Sequence, residues 1–153
     1  MVNIGDTAPE IELPSSSGNT VKLPGSKPFV LFFHPKDDTP GCTTEAKGFS
    51  SVKDQFSSLG IEIYGLSPDP VKKHDKFITK HDLTVELLSD QELSALQAYG
   101  VWVEKRMYGR TYMGVERSTF LVSEDGIVLE LWRKVRVKGH VEAVLEAAQN
   151  QFG

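Results

Sequence analysis

Hydrophobic positions along the chain fall into short blocks that alternate between two periods. Residues 29–33, Phe-Val-Leu-Phe-Phe, form a continuous apolar run that stops at Pro35. Such a run suits a strand covered on both faces. A polar loop follows over 36–41. Ala46, Phe49, Lys53, Phe56 and Leu59 then recur at helical spacing, with the Lys53 stem able to lie along the apolar stripe. Gly60 predicts the end of that helix. Residues 61–66 read as a second strand and 71–81 as a second helix, with Phe77 and Ile78 inward. Residues 85–88 read as a third strand, and 92–99 as a short helix closed by Gly100. Residues 118–122 and 128–132 predict a hairpin turned by Glu124-Asp125-Gly126. Val141, Val144, Leu145, Ala148 and Phe152 make a stripe at i, i+3, i+4, i+7 and i+11, which predicts a C-terminal helix. Upstream, residues 14–27 are rich in Ser, Gly, Pro and Asn and read as turns around a short strand at 21–23.

This order of strands and helices is that of an α/β protein, with a central sheet sandwiched by helices. No linker, repeat or low-complexity tract divides the chain, so a single domain over 1–153 is expected. Its 153 residues suffice for a substantial core, and 39% apolar with 25% charged residues is ordinary for a globular protein. A net charge of −4 argues against general nucleic-acid binding. No apolar run is long enough to span a bilayer, and the opening MVNIGDTAPEIEL lacks the basic and apolar regions of a secretory signal. One cysteine forbids an internal disulfide, so a reducing, cytoplasmic setting is expected.

That cysteine sits in the most informative stretch, Pro35-Lys-Asp-Asp-Thr39-Pro40-Gly41-Cys42-Thr-Thr-Glu45. The stretch follows the covered strand and opens a helix, where open α/β sheets place their ligand crevices. A helix N-terminus carries free N–H groups and positive partial charge, which favour a thiolate, the form of cysteine that attacks electrophiles. Thr39 supplies a hydroxyl, and Gly41 lets backbone approach a substrate closely. Pro35 and Pro40 restrict the loop. The competing reading of Cys42 is a buried packing residue. Its place between a turn and a polar helix start weakens that reading. Taken alone, Thr39 is a turn or helix-cap residue, and Arg117 a surface arginine.

Pro35-x-x-x-Thr39-x-x-Cys42 resembles the active-site signature of peroxiredoxins. The longer string over 32–46, Phe-Phe-His-Pro-Lys-Asp-Asp-Thr-Pro-Gly-Cys-Thr-Thr-Glu-Ala, resembles their PrxQ branch, also called bacterioferritin comigratory protein. Further matches follow in order: Gly5-Asp-Thr-Ala-Pro9, Gly65-Leu-Ser-Pro-Asp69, Leu87-Leu-Ser-Asp90, residues 115–121 around Arg117, and residues 132–141. The resemblance covers nearly the whole chain. It implies a thioredoxin-like fold with a mixed central sheet flanked by helices on both faces. It implies a peroxidase that needs no metal, haem or flavin and acts on hydrogen peroxide and alkyl hydroperoxides. It makes Cys42 the nucleophile and gives Thr39 the task of orienting the peroxide. Arg117 would stabilise thiolate and transition state, and Pro35 would shield the site. Gly41 and Cys42 N–H groups would hold the peroxide oxygens, with Pro40 beside them on the substrate side. It is compatible with a monomer or a homodimer.

The chain departs from many PrxQ members at Lys47, where they carry a resolving cysteine. An external thiol, such as thioredoxin or glutaredoxin with glutathione, is then expected to resolve the oxidised Cys42. Other readings compete: a peroxide sensor without turnover, or a chaperone-like binding module. His34, His74, His81 and His140 have no metal-ligand spacing, and His34 reads as a packing residue. Asp37 and Asp38 read as solvated loop residues rather than an acid–base pair. Residues 133–138, alternating basic and apolar, read as an edge strand with one charged face rather than a nucleic-acid patch. Residues 102–113 read as a loop and short strand beside the site.

Overall fold

The computed structural model describes residues 2–153. In chain order the strands are β1 (Ile11–Pro14), β2 (Thr20–Leu23), β3 (Phe29–Phe33), β4 (Glu62–Ser67), β5 (Glu86–Ser89), β6 (Trp102–Met107), β7 (Arg110–Val115), β8 (Ser118–Val122) and β9 (Val128–Trp132). The helices are α1 (Pro40–Ser51), α2 (Lys53–Ser58), α3 (Val71–His81), α4 (Ser94–Ala98) and α5 (His140–Phe152). The central sheet runs β5-β4-β3-β8-β9. β3, β4 and β5 are parallel, joined by crossovers through helices, while β8 and β9 run antiparallel. This is the mixed, helix-covered sheet that the α/β order predicts.

β3 is the middle strand and all five of its residues are buried. Period-two alternation splits them between two cores. Phe29, Leu31 and Phe33 join Leu66, Leu96, Tyr99 and Phe120 on the face covered by α4 and the β1–β2 hairpin. Val30 and Phe32 join Phe49, Phe56, Phe77 and Val144 on the face covered by α1, α2, α3 and α5. The two halves of the sandwich explain why this strand reads as an unbroken apolar run. No helix among the described residues is long and apolar enough to cross a membrane.

Residues 11–14 form a strand, β1, that no pattern predicts and that pairs antiparallel with β2, and three further segments differ from their sequence pattern. The helix expected to follow the 36–41 loop begins inside that loop, at Pro40, and breaks at Val52, whose φ and ψ of −112° and 11° are not helical. Residues 102–115 form a hairpin, β6–β7, rather than a loop with a short strand. Tyr108 and Gly109 both take positive φ at its tip, as a two-residue hairpin turn requires. Its outward positions hold Met107, Tyr112 and Met113, so the alternation of polar and apolar residues that marks a strand is missing. Residues 133–138 are not an edge strand. Lys134 is left-handed, with φ of 49°, and turns the chain away from β9. The Val135 N–H then donates to Arg117 O at 2.9 Å and draws the segment over the entry to β8.

Candidate active site

Sheet register brings the site together. Phe33 at the end of β3 lies opposite Ser118 at the start of antiparallel β8. The chain leaving β3 and the residue entering β8, Arg117, therefore meet at the same end of the sheet. The β3–α1 loop places Pro35, half-buried, at its start and Thr39 at the N-cap of α1. Thr39 Oγ1 donates to Lys36 O at 2.8 Å and makes no capping bond to the helix. Pro40 occupies the exposed first helical position, where a missing N–H costs nothing. Cys42 falls in the first turn with only 1% of its surface exposed.

One guanidinium links the thiol to a buried carboxyl. Arg117 Nη2 donates to Cys42 Sγ at 3.4 Å and Nη1 to Glu45 Oε1 at 2.7 Å. Cys42 and Glu45 are three residues apart on one helical face, so a single fork spans both. Burial pushes the Glu45 carboxyl up to about 7, against the opposing charge and hydrogen bond of Arg117. Its Oε2 lies 3.8 Å from His140 Nε2 at the start of α5, and that nitrogen also meets Thr119 Oγ1 at 2.8 Å. Burial, aided by the Arg117 charge, lowers His140 to about 4, so its ring is neutral at ordinary pH. A Cβ at Gly41 would come within 3.0 Å of Arg117 Nη2, so glycine leaves the guanidinium its place. A groove of about 370 Å³ runs past Arg117 between Lys105 and Lys134.

Residues 4–131 match the family model of the AhpC/TSA family. The chain belongs to that family. It is 46% identical over 151 residues to Peroxiredoxin Bcp of Bacillus subtilis, covering 97% of this chain and 96% of that protein. Among solved structures, it resembles the Xanthomonas campestris bacterioferritin comigratory protein, studied for its alkyl peroxide reduction. That match has a TM-score of 0.89 at 41% identity and covers 94% of this chain and 92% of the other. A variant of Xylella fastidiosa PrxQ gives a TM-score of 0.93 at 37% identity over 99% and 98% of the two chains. Within the family this is a peroxiredoxin of the Bcp/PrxQ kind, carrying one cysteine. The thioredoxin-like fold implied by its sequence is therefore the fold it has.

Sequence patterns point to some neighbours of this peroxiredoxin's cysteine and miss others. Glu45 and His140 carry no local sign of a role, although a glutamate three residues after Cys42, beside buried Ala46, is the one available signal. Asp37 is not a solvated loop residue: it is 2% exposed and bonded through Oδ2 to His74 Nδ1. Asp38 is exposed, as expected, and paired with Lys80 and His81. His34 is the packing residue its sequence suggests, buried against Phe32 and Phe77. Burial, with the His74 charge next, lowers His34 to about 3. A depressed histidine contributes stability that is present above its unfolded value near 6.5 and lost as pH falls toward 3. His34→Phe is therefore expected to melt roughly 5–10 °C above the wild type at pH 4 and close to it at pH 8. Thermal melts at both pH values check this; an equal shift at both would refute it.

Proposed function

We propose that this peroxiredoxin reduces hydrogen peroxide and organic hydroperoxides through a one-cysteine cycle centred on Cys42. The thiolate attacks one peroxide oxygen, the S–O bond forms, and the O–O bond breaks. The leaving oxygen takes a proton and departs as water or alcohol, leaving a Cys42 sulfenic acid. The observation that carries this reading is the Arg117 guanidinium 3.4 Å from Sγ, anchored by buried Glu45. A permanent cation there favours the thiolate and meets the charge that grows on the leaving oxygen. Thr39 gives its hydroxyl proton to Lys36 O, which leaves its lone pairs to accept a hydrogen bond from the peroxide. First-turn N–H groups of Gly41 and Cys42 hold the peroxide oxygens, with Pro40 fixing the helix start and Pro35 limiting water.

Lys47 stands exposed where many relatives of this type carry a second cysteine, and the chain holds no second cysteine to pair with Cys42. The second half of the cycle then belongs to an external thiol. Its sulfur attacks the Cys42 sulfur, hydroxide leaves, and a second thiol releases the mixed disulfide. Thioredoxin, or glutaredoxin with glutathione, is the expected class, in the cytoplasm, with the single domain acting as a monomer or homodimer. The test is to add one equivalent of hydrogen peroxide with dimedone, locate adducts by mass spectrometry, and follow peroxide loss with excess dithiothreitol. A Cys42 adduct and many turnovers are expected. Stoichiometric oxidation without turnover would instead mark a sensor, and thiol-independent suppression of aggregation a chaperone-like module.

A further inference from the structure

The loop between β3 and α1 is tied to α3 on its inner and outer sides. Inside, Asp37 Oδ2 meets His74 Nδ1, and His74 Nε2 meets Leu88 O at 2.9 Å. A carbonyl only accepts, so Nε2 carries a proton and Nδ1 faces the carboxyl. The Asp37 N–H donates to Asp69 Oδ2 at 2.8 Å, an oxygen that also accepts from Ser67 Oγ at 2.7 Å. Lys73 Nζ lies 3.0 Å from Asp69 Oδ1. Outside, Asp38 receives Lys80 Nζ and meets His81 Nε2, both at 2.8 Å. Asp38 itself is left-handed, with φ of 61°. Aspartate is among the non-glycine residues that adopt this conformation most readily, and here it holds Asp38 between Lys80 and His81.

A buried carboxyl and imidazole are a costly way to hold a loop that apolar packing would also hold. What the polar pair adds is direction: each hydrogen bond fixes where the backbone of Asp37 can lie. Two residues before and after Asp37 stand Pro35 and Thr39, and the loop ends on the first turn of α1. None of the bonds that fix it involves Cys42, Arg117 or Glu45.

We propose that Asp37 and His74 are positioning residues, which hold the 35–39 loop so that Pro35, Thr39 and the α1 N-terminus present the peroxide to Cys42. This rests on the one-cysteine reading above. The test compares two reactions of the same thiol in Asp37→Asn, His74→Leu and His74→Gln. Iodoacetamide alkylation reports the thiolate alone, whereas oxidation by hydrogen peroxide also requires the oriented substrate. Peroxide oxidation is expected to slow by roughly 10- to 100-fold in Asp37→Asn and His74→Leu. Alkylation is expected to stay within about twofold of the wild type. His74→Gln, whose amide can donate to Asp37 or accept from it, should recover part of the loss. The double variant Asp37→Asn/His74→Leu should be no slower than the slower single one.

A structural role alone would lower the melting temperature and move both reactions together, or neither. Either pattern in folded Asp37→Asn, which is nearly isosteric, would overturn the proposal even where His74→Leu does not fold. If wild-type Cys42 fails to react with peroxide, the one-cysteine reading falls first. If it reacts and the variants match it, only the positioning role falls.

Discussion

Cys42→Ser is expected to abolish peroxide turnover, and Arg117→Gln to slow it by about 100- to 1,000-fold with the fold intact. Serine keeps the size of the side chain but is protonated at neutral pH and gives no sulfenic acid. Glutamine keeps a hydrogen-bonding head, so Arg117→Gln isolates what the charge contributes. Two effects of that charge multiply. In the proposed cycle the cation 3.4 Å from Sγ meets negative charge on the sulfur and then the charge developing on the leaving oxygen. Removing one preorganised donor of this kind from an active site costs about 2.7–4 kcal/mol in known cases. Arg117→Lys should fall between the two, because a single ammonium cannot reach both Sγ and Glu45 Oε1 as the fork does. Stopped-flow oxidation of Cys42 beside iodoacetamide alkylation separates the contributions. Loss in both reactions assigns it to the thiolate; the excess in peroxide oxidation belongs to the transition state. An Arg117→Gln protein within about threefold of the wild type would refute the role, since preorganised charge contributes far more than that elsewhere.

The elements that are legible in the sequence are those whose burial is periodic. β3 is apolar throughout because it has a core on each side, and the α5 stripe is clean because only one face of that helix is covered. The start of α1 is harder to see. Thr39, Pro40 and Gly41 look like turn residues, yet a proline at the first helical position and a glycine beneath Arg117 are what this helix start needs. Residues 133–138 alternate like a strand, but Lys134 turns left-handed and the segment bonds to Arg117 O instead of to the edge of β9.

The candidate site divides along the same line. Cys42 is readable locally, as a thiol at a helix start. Arg117 is not: nothing in its surroundings marks it, and only the resemblance or the Phe33–Ser118 register brings it to Cys42. Asp37 and Asp38 are indistinguishable as adjacent acids. What separates them is His74, 37 residues away, which β4 and α3 carry beneath the loop. Contacts between a loop and a distant helix leave no periodic trace, so buried polar groups are where pattern reading is weakest.

Glu45→Gln is expected to change how stability depends on pH more than any other substitution at this site. The folded protein raises the Glu45 carboxyl from 4.5 to about 7, chiefly by burial. Between those values the unfolded chain has released a proton that the folded chain keeps. Stability therefore falls as pH rises through this window, and the contribution is gone above pH 7. A rise of this size corresponds to about 3 kcal/mol. His34 and His140 act in the opposite sense, since both are depressed by burial and lose their contribution on acidification. The wild-type profile is the sum of these slopes, so the informative quantity is the difference between variant and wild type. Glutamine never titrates and still offers Arg117 Nη1 an acceptor. Relative to the wild type, Glu45→Gln should gain about 3 kcal/mol between pH 4.5 and pH 8. Urea unfolding across that range measures it, and a difference that stays constant with pH would rule out Glu45 as the titrating group. The same proton bears on the proposed chemistry: a neutral Glu45 leaves the Arg117 charge to Cys42, whereas its carboxylate takes a share.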